Sequence, residues 1–187
     1  MVGLRKASAY SKRIVVPFTR TSRKKNRAYI KMVPPQKIVK FTMGDEKLAK
    51  AGKLPYHLTV LSEEKIQIRN NALEACRQFV NRLMDENFSG QYVFKIIPYP
   101  HHIQRENKML TGAGADRMQT GMQLSFGKSV GKAAIVKKGE RIFIFELPNP
   151  KAVAFSRHLI KQIKAKLPGR IRVVETFETA EKPTLSK

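Results

Sequence analysis

Between two apolar runs that read as strands, Tyr92–Ile97 and Ala133–Val136, the chain inserts Pro100 to Gly131. That is about 30 residues where connections are normally roughly 4–6. Loops of such length are functional or disordered. Gly112, Gly114, Gly121, Gly127 and Gly131 alternate there with Arg105, Lys108, Arg117 and Lys128. So many glycines cannot form a core, and so many specific polar groups do not make a spacer. The stretch reads as a backbone-rich cationic finger that needs a polyanion to settle on.

The charge balance agrees. Lys plus Arg is 37 against 14 acids, a net charge of +23 over 187 residues. Such self-repulsion opposes compaction and favours a nucleic acid or an anionic surface as partner. Residues 1–40 hold 12 of the basic residues and no acid, so about half of the net charge sits in the first fifth of the chain. Tyr10, Phe18 and Tyr29 are scattered among these cations. Residues 1–37 are expected to form a basic arm that orders on a phosphate backbone, where Lys and Arg release counterions. The single Cys76 excludes an internal disulfide framework and a multi-cysteine zinc site, and points to a reducing cytosol. No apolar run is long enough to span a membrane, and the basic N-terminus lacks the apolar stretch of a signal peptide.

The remainder, 38–177, alternates strands and helices. Ile38–Met43 reads as a first strand after Pro34-Pro35, Gly44–Leu54 as a loop, and Tyr56, Leu58 and Val60 as alternating strand positions. A helix is expected over Ala72–Glu86. Leu73, Cys76, Phe79, Val80, Leu83 and Met84 form its apolar stripe, and Glu74, Gln78, Arg82 and Glu86 its wet row. Asn71 is the candidate cap, with Glu74 as its reciprocal partner. Cys76 falls on the apolar stripe and reads as a plain buried thiol. Ala133–Val136 and Ile142–Phe145 should form a hairpin around Lys137–Glu140, and the unbroken apolar run Ile142–Phe145 a central strand covered on both faces. Asn149-Pro150 opens a second helix with Ala152, Phe155, Leu159, Ile160, Ile163 and Leu167 inward and Arg157, Lys161 and Lys164 outward. Pro168-Gly169 stops it, Arg170–Phe177 alternates as a last strand, and 178–187 should be a disordered tail. The class is therefore α+β: an antiparallel or mixed sheet with two helices packed on one face.

Catalytic patterns are weak. Gly127-Lys128-Ser129 resembles the end of a nucleotide-binding loop, but the required earlier glycine falls on Met122, with Gly121 one place off. Gly112-x-Gly114 fails as a dinucleotide fingerprint because Arg117 occupies the third glycine position. His101 and His102 are adjacent, so an extended backbone points them to opposite sides; with no Cys or paired carboxylates nearby, a polar loop base or an RNA contact is expected rather than a metal. No cofactor and no metal are implied. What remains is anion recognition: Arg105, Lys108, Arg117, Lys128 and Lys132 stand among glycines that let backbone amides approach phosphate.

These residues carry a resemblance. PHHIQRENKMLTGAGADRMQTGM followed by FGK-S-VG resembles the signature of the archaeal and eukaryotic large-subunit ribosomal protein usually called L-ten-e, with the bacterial counterpart L-sixteen. VPPQKIVKFTMGD, IRNNALEACRQFVNRLM and KAAIVKKGERIFIFEL extend it from about Tyr10 to Phe177. The length looks archaeal rather than eukaryotic. The resemblance implies a hammerhead-type α+β fold seated on large-subunit rRNA, between the central protuberance and the peptidyl-transferase region. It implies a loop tip at Arg105–Met122 directed toward tRNA. The expected partners are large-subunit rRNA including the 5S rRNA region, tRNA and neighbouring ribosomal proteins, with no membrane and no homo-oligomer.

The expected function is thus a non-catalytic, cytoplasmic ribosomal constituent. Arg13, Arg23, Lys24 and Arg27 in the arm, Arg69 at the first helix entrance, and Lys128 and Lys132 at the loop base are the expected rRNA contacts. His101, His102, Arg105, Lys108, Gly112, Gly114 and Arg117 are the tRNA-proximal set. The rival readings are a free RNA- or DNA-coating protein and an NTP-dependent enzyme built on Gly127-Lys128-Ser129.

Overall fold

A computed structural model describes residues 17–19, 30, 32–106 and 127–177. Its strands are β1 (Thr42–Gly44), β2 (Tyr56–Ser62), β3 (Ile66–Arg69), β4 (Val93–Ile96), β5 (His102–Glu106), β6 (Lys128–Val136), β7 (Arg141–Leu147) and β8 (Ile171–Phe177). Its helices are α1 (Glu46–Lys50), α2 (Asn70–Phe88) and α3 (Pro150–Ile163), the last followed by a 3₁₀ turn, Lys164–Lys166.

The class is α+β, as expected, but the strands divide into two antiparallel sheets rather than one. A five-stranded sheet runs β1-β4-β7-β2-β8, and a three-stranded sheet runs β3-β6-β5. The run Ile142–Phe145 lies in β7 at the centre of the larger sheet. Ile142, Phe143 and Phe145 are fully buried there, but Ile144 is only half-buried opposite Thr59 and Lys95, so the central strand is not covered evenly on both faces. Phe145 faces Leu58 of β2 and Phe94 of β4 across the ladders, and the Phe94 and Phe145 rings pack at 4.6 Å.

The two long helices share the core below this sheet. Leu73, Cys76, Val80 and Met84 of α2 are fully buried, as are Ala152 and Ile163 of α3, with Leu159 and Ile160 nearly so. Ser156 Oγ lies 3.8 Å from Met84 Sδ, and Phe88 and Phe155 pack at 5.7 Å, so the helices lie side by side. α2 touches β3 and β6 of the smaller sheet and β4 of the larger one, and so joins the two. Asn149 takes the N-cap position of α3 in an extended conformation, without a side-chain cap bond, and Pro150 stands at the first helical position, the start read from the sequence.

Several local expectations are corrected. The Lys137–Glu140 turn does not close a hairpin. β6 pairs with β3 and β5, β7 pairs with β2 and β4, and the turn carries the chain from one sheet to the other. Gly139 N–H donates to Ser62 O at 2.7 Å, and Lys137 N–H to Glu140 Oε2 at 2.7 Å, which fixes that crossing. The first strand is only Thr42–Gly44, because the N–H of Val39 is taken by a side chain, Glu74 Oε2 at 3.4 Å. Asn71 is not the cap of α2. β3 runs straight into the helix, Arg69 takes the cap position in an extended conformation, and Asn71 falls in the first turn. Glu74 is not in a wet row but nearly buried. The loop read over Gly44–Leu54 contains α1, whose Asp45 cap accepts from Lys47 N–H at 2.9 Å.

Candidate nucleic-acid interface

The long stretch 100–131 is a loop only in its middle. Its two ends form the antiparallel pair β5–β6, with His102 opposite Ala133, Ile103 opposite Lys132, Gln104 opposite Gly131, Arg105 opposite Ser129 and Glu106 opposite Lys128. A bulge after Gln104 shifts the register of the last two pairs. The cationic finger therefore stands on a two-stranded stem at the edge of the smaller sheet.

Gly131 and Ala133 of the central strand β6 carry almost no side chain. Gln67 of β3 and Gln104 of β5 approach each other on that face at 3.4 Å, both nearly buried. Arg69, at the end of β3, pairs with Ala133, which also pairs with His102. Arg69 is half-buried there and stands at the entrance of α2, at its N-cap position.

The paired histidines do point to opposite sides. His101 is exposed, and its Nδ1 lies 3.0 Å from Tyr99 O. That carbonyl can only accept, so the proton sits on Nδ1. His102 is 5% exposed, and its Nδ1 accepts from Phe18 N–H at 2.8 Å. The bond demands a neutral ring protonated on Nε2. Burial, with the neighbouring His101 and Arg105 charges adding to it, pushes the imidazole down to about 4, so it is neutral throughout the physiological range.

Phe18 is the residue that sequence reasoning passed over. Its carbonyl accepts from Ile103 N–H at 3.0 Å, and its ring lies under the Arg105 guanidinium, 3.3 Å from carbon to ring centroid. Burial draws the Arg105 pKa down, and the group remains a cation. A second fastening follows at Met32, whose carbonyl accepts from Ser129 Oγ at 2.6 Å. The available signal was the apolar run Ile14-Val15-Val16-Pro17-Phe18 inside an otherwise basic segment.

Of the sequence-selected residues, the structure gathers His101, His102, Arg105, Lys128 and Lys132 on or beside the stem, with Arg69 one strand away. Lys128 is exposed, and Lys132 and Arg105 are half-buried. Arg13, Arg23, Lys24, Arg27, Lys108, Gly112, Gly114 and Arg117 lie outside the described residues, as does the tail 178–187.

Catalytic alternatives find no support in this geometry. Lys128 and Ser129 are strand residues, so their amides alternate across a ladder instead of converging on a phosphate. Cys76 is fully buried, and that burial pushes its thiol up to about 12, the opposite of an activated nucleophile. Among the described residues no cluster of three or more His, Cys, Asp or Glu side chains could hold a metal ion, and no helix is long and apolar enough to cross a membrane.

The described residues thus define a basic α+β protein without an assembled catalytic centre, presenting cations on a hairpin stem. A family model described as "Ribosomal protein L16p/L10e" matches residues 17–174. The chain is 41% identical over 149 residues to "Large ribosomal subunit protein uL16" of Methanococcus maripaludis strain C5, covering 79% of this chain and 83% of that one. It is 43% identical over 150 residues to the protein of the same name from Methanoculleus marisnigri, covering 80% and 85%. With that of Nanoarchaeum equitans it shares 37% over 177 residues, covering 92% of each chain. The chain belongs to the ribosomal protein L16p/L10e family.

Proposed function

We propose that this chain seats itself on large-subunit rRNA near the central protuberance and the peptidyl-transferase region, and helps position tRNA through the finger rooted on β5–β6. It is a structural constituent of the large ribosomal subunit, acts in translation in the cytoplasmic ribosome, and is not an enzyme. In this reading residues 1–37 are a basic arm, 38–177 a hammerhead-type rRNA-binding domain with the long stretch 100–131 as stem and finger, and 178–187 a tail. Arg13, Arg23, Lys24, Arg27, Arg69, Lys128 and Lys132 meet rRNA phosphates. His101, Arg105, Lys108, Gly112, Gly114 and Arg117 lie toward tRNA. His102 belongs to the same region but faces inward. The partners are rRNA including the 5S region, tRNA and adjacent ribosomal proteins, and the chain does not pair with itself.

The observation that carries this reading is the family match over 17–174, which includes the stem and its cations. Phosphate recognition by Lys, Arg and backbone amides is the chemistry such a surface performs. The test is add-back of the full chain to large subunits depleted of it. Wild-type chain should restore tRNA occupancy, and a chain with 107–126 replaced by a short glycine linker should restore the particle but not the occupancy. Full tRNA occupancy with the shortened chain would refute the role of the finger.

A further inference from the structure

We propose that His102 and Ser129 are positioning residues for RNA binding. They pin the basic N-terminal segment to the β5–β6 stem, at Phe18 near its root and at Met32 near the finger, so that arm and finger meet RNA as one oriented surface. This rests on the rRNA-binding reading above and adds to it a device for pre-ordering the arm.

The geometry is specific at each pin. At the first, both backbone groups of Phe18 are used: its N–H by His102 Nδ1 at 2.8 Å and its carbonyl by Ile103 N–H at 3.0 Å. β5 is an edge strand, and Phe18 covers the outward N–H of Ile103 that would otherwise be open. Arg105 closes over the Phe18 ring from the same strand. At the second, Ser129 stands opposite Arg105 on β6 and donates to Met32 O. The pins therefore sit on neighbouring strands of one ladder, His102 on its first rung at the end away from the finger and Ser129 one rung from the finger's base.

Two consequences follow from chemistry alone. Holding Phe18 and Met32 on the stem removes the loop-closure part of the ordering cost before RNA arrives, so less is lost on binding. Its cations also engage phosphates together rather than one by one, which raises the number of counterions released at once. His102 can serve only as an acceptor at Nδ1, so it acts through Phe18 and not by touching RNA.

The experiment uses the full chain, with hydrogen exchange at the Phe18 and Ile103 amides and binding to full-length large-subunit rRNA over a salt series. His102→Phe keeps the ring volume and removes the acceptor. His102→Asn keeps an acceptor at nearly the place of Nδ1. Ser129→Ala releases Met32. Wild-type Phe18 should be protected. His102→Phe should lose that protection, with β2 and β7 amides unchanged, bind rRNA roughly tenfold more weakly, and show a salt slope shallower by about 1 or more. His102→Asn should restore both readouts, and Ser129→Ala should weaken binding with Phe18 still protected. An unprotected Phe18 amide in the wild type, or wild-type affinity and salt slope in both His102→Phe and Ser129→Ala, would overturn the proposal. If the wild type shows no preference for large-subunit rRNA over an unrelated RNA, the seat on the subunit fails instead, and the pins are judged by exchange and by affinity for that unrelated RNA.

Discussion

Arg77 grips Glu74 with two parallel bonds, Nε to Oε2 at 2.8 Å and Nη2 to Oε1 at 2.7 Å, one turn apart on α2. The same carboxylate accepts from Gln78 at 3.0 Å and from the Val39 amide, so it ties the entering chain to the first long helix. The hydrogen bonds from Arg77, with Gln78 and Val39 assisting, hold its pKa below the ordinary carboxylate value of 4.5 against the opposing effect of burial. Stability from this group is therefore present above pH 4.5 and lost as pH falls below it. Glu74→Gln should lower unfolding free energy by about 1–3 kcal/mol, since it leaves a half-buried guanidinium without its charge partner. Urea denaturation of both chains, at pH 7 and at pH 4, measures this. An equal difference at the two pH values would contradict the assigned role.

Gly44 closes β1 with φ +89, and a Cβ there would meet the Tyr92 carbonyl oxygen at 1.9 Å. Asp45 N–H bonds that same carbonyl at 3.0 Å, so the approach cannot relax without loss of the β1–β4 junction. Gly44→Ala combines left-handed strain with a backbone clash and should cost more than about 1 kcal/mol. A melting temperature within a degree of wild type would refute it.

Cys76 supplies a simple check on the α2 packing. Its full burial and raised pKa predict no reaction with iodoacetamide in the folded protein at pH 8, and complete reaction in denaturant. Fast labelling of the native chain would mean that the stripe of α2 is not packed as described.

The His102 imidazole gives a pH dependence of the opposite kind to a salt-bridged histidine. Its folded-state pKa is depressed from 6.5 to about 4, so its contribution is complete above pH 6.5 and declines as pH falls toward 4. The neighbouring groups that bear on it are His101 and Arg105, and positive charge on either disfavours the imidazolium. Protection of the Phe18 amide, corrected for intrinsic exchange, should fall over that window. Constant protection from pH 7 to pH 4 would contradict the acceptor assignment.

Much of this was legible in the residues. The stripes of α2 and α3, the Asn149-Pro150 start, the central placement of Ile142–Phe145 and the inert Cys76 all follow from periodicity and from local chemistry that tertiary structure did not override. β3 escaped because Ile66–Arg69 passes into α2 with no turn residue between them. The ends of the long stretch escaped because β5 is written in polar letters, His-Ile-Gln-Arg-Glu, and its burial depends on Gly131 and Ala133 across the ladder. Division into two sheets is a matter of long-range pairing, which no local pattern encodes. The pins are invisible for the same reason: Phe18 and His102 are 84 positions apart, and one of the bonding groups is a backbone amide.

The most direct test of the central claim is sedimentation of a cell lysate through a sucrose gradient in high salt, with each fraction probed for this chain. The account predicts co-migration with the large subunit at one copy per particle, because shape-matched contacts survive salt that strips loosely bound cations. A chain that remains at the top of the gradient, or spreads over RNAs of every size, would contradict it and favour a free nucleic-acid-coating protein.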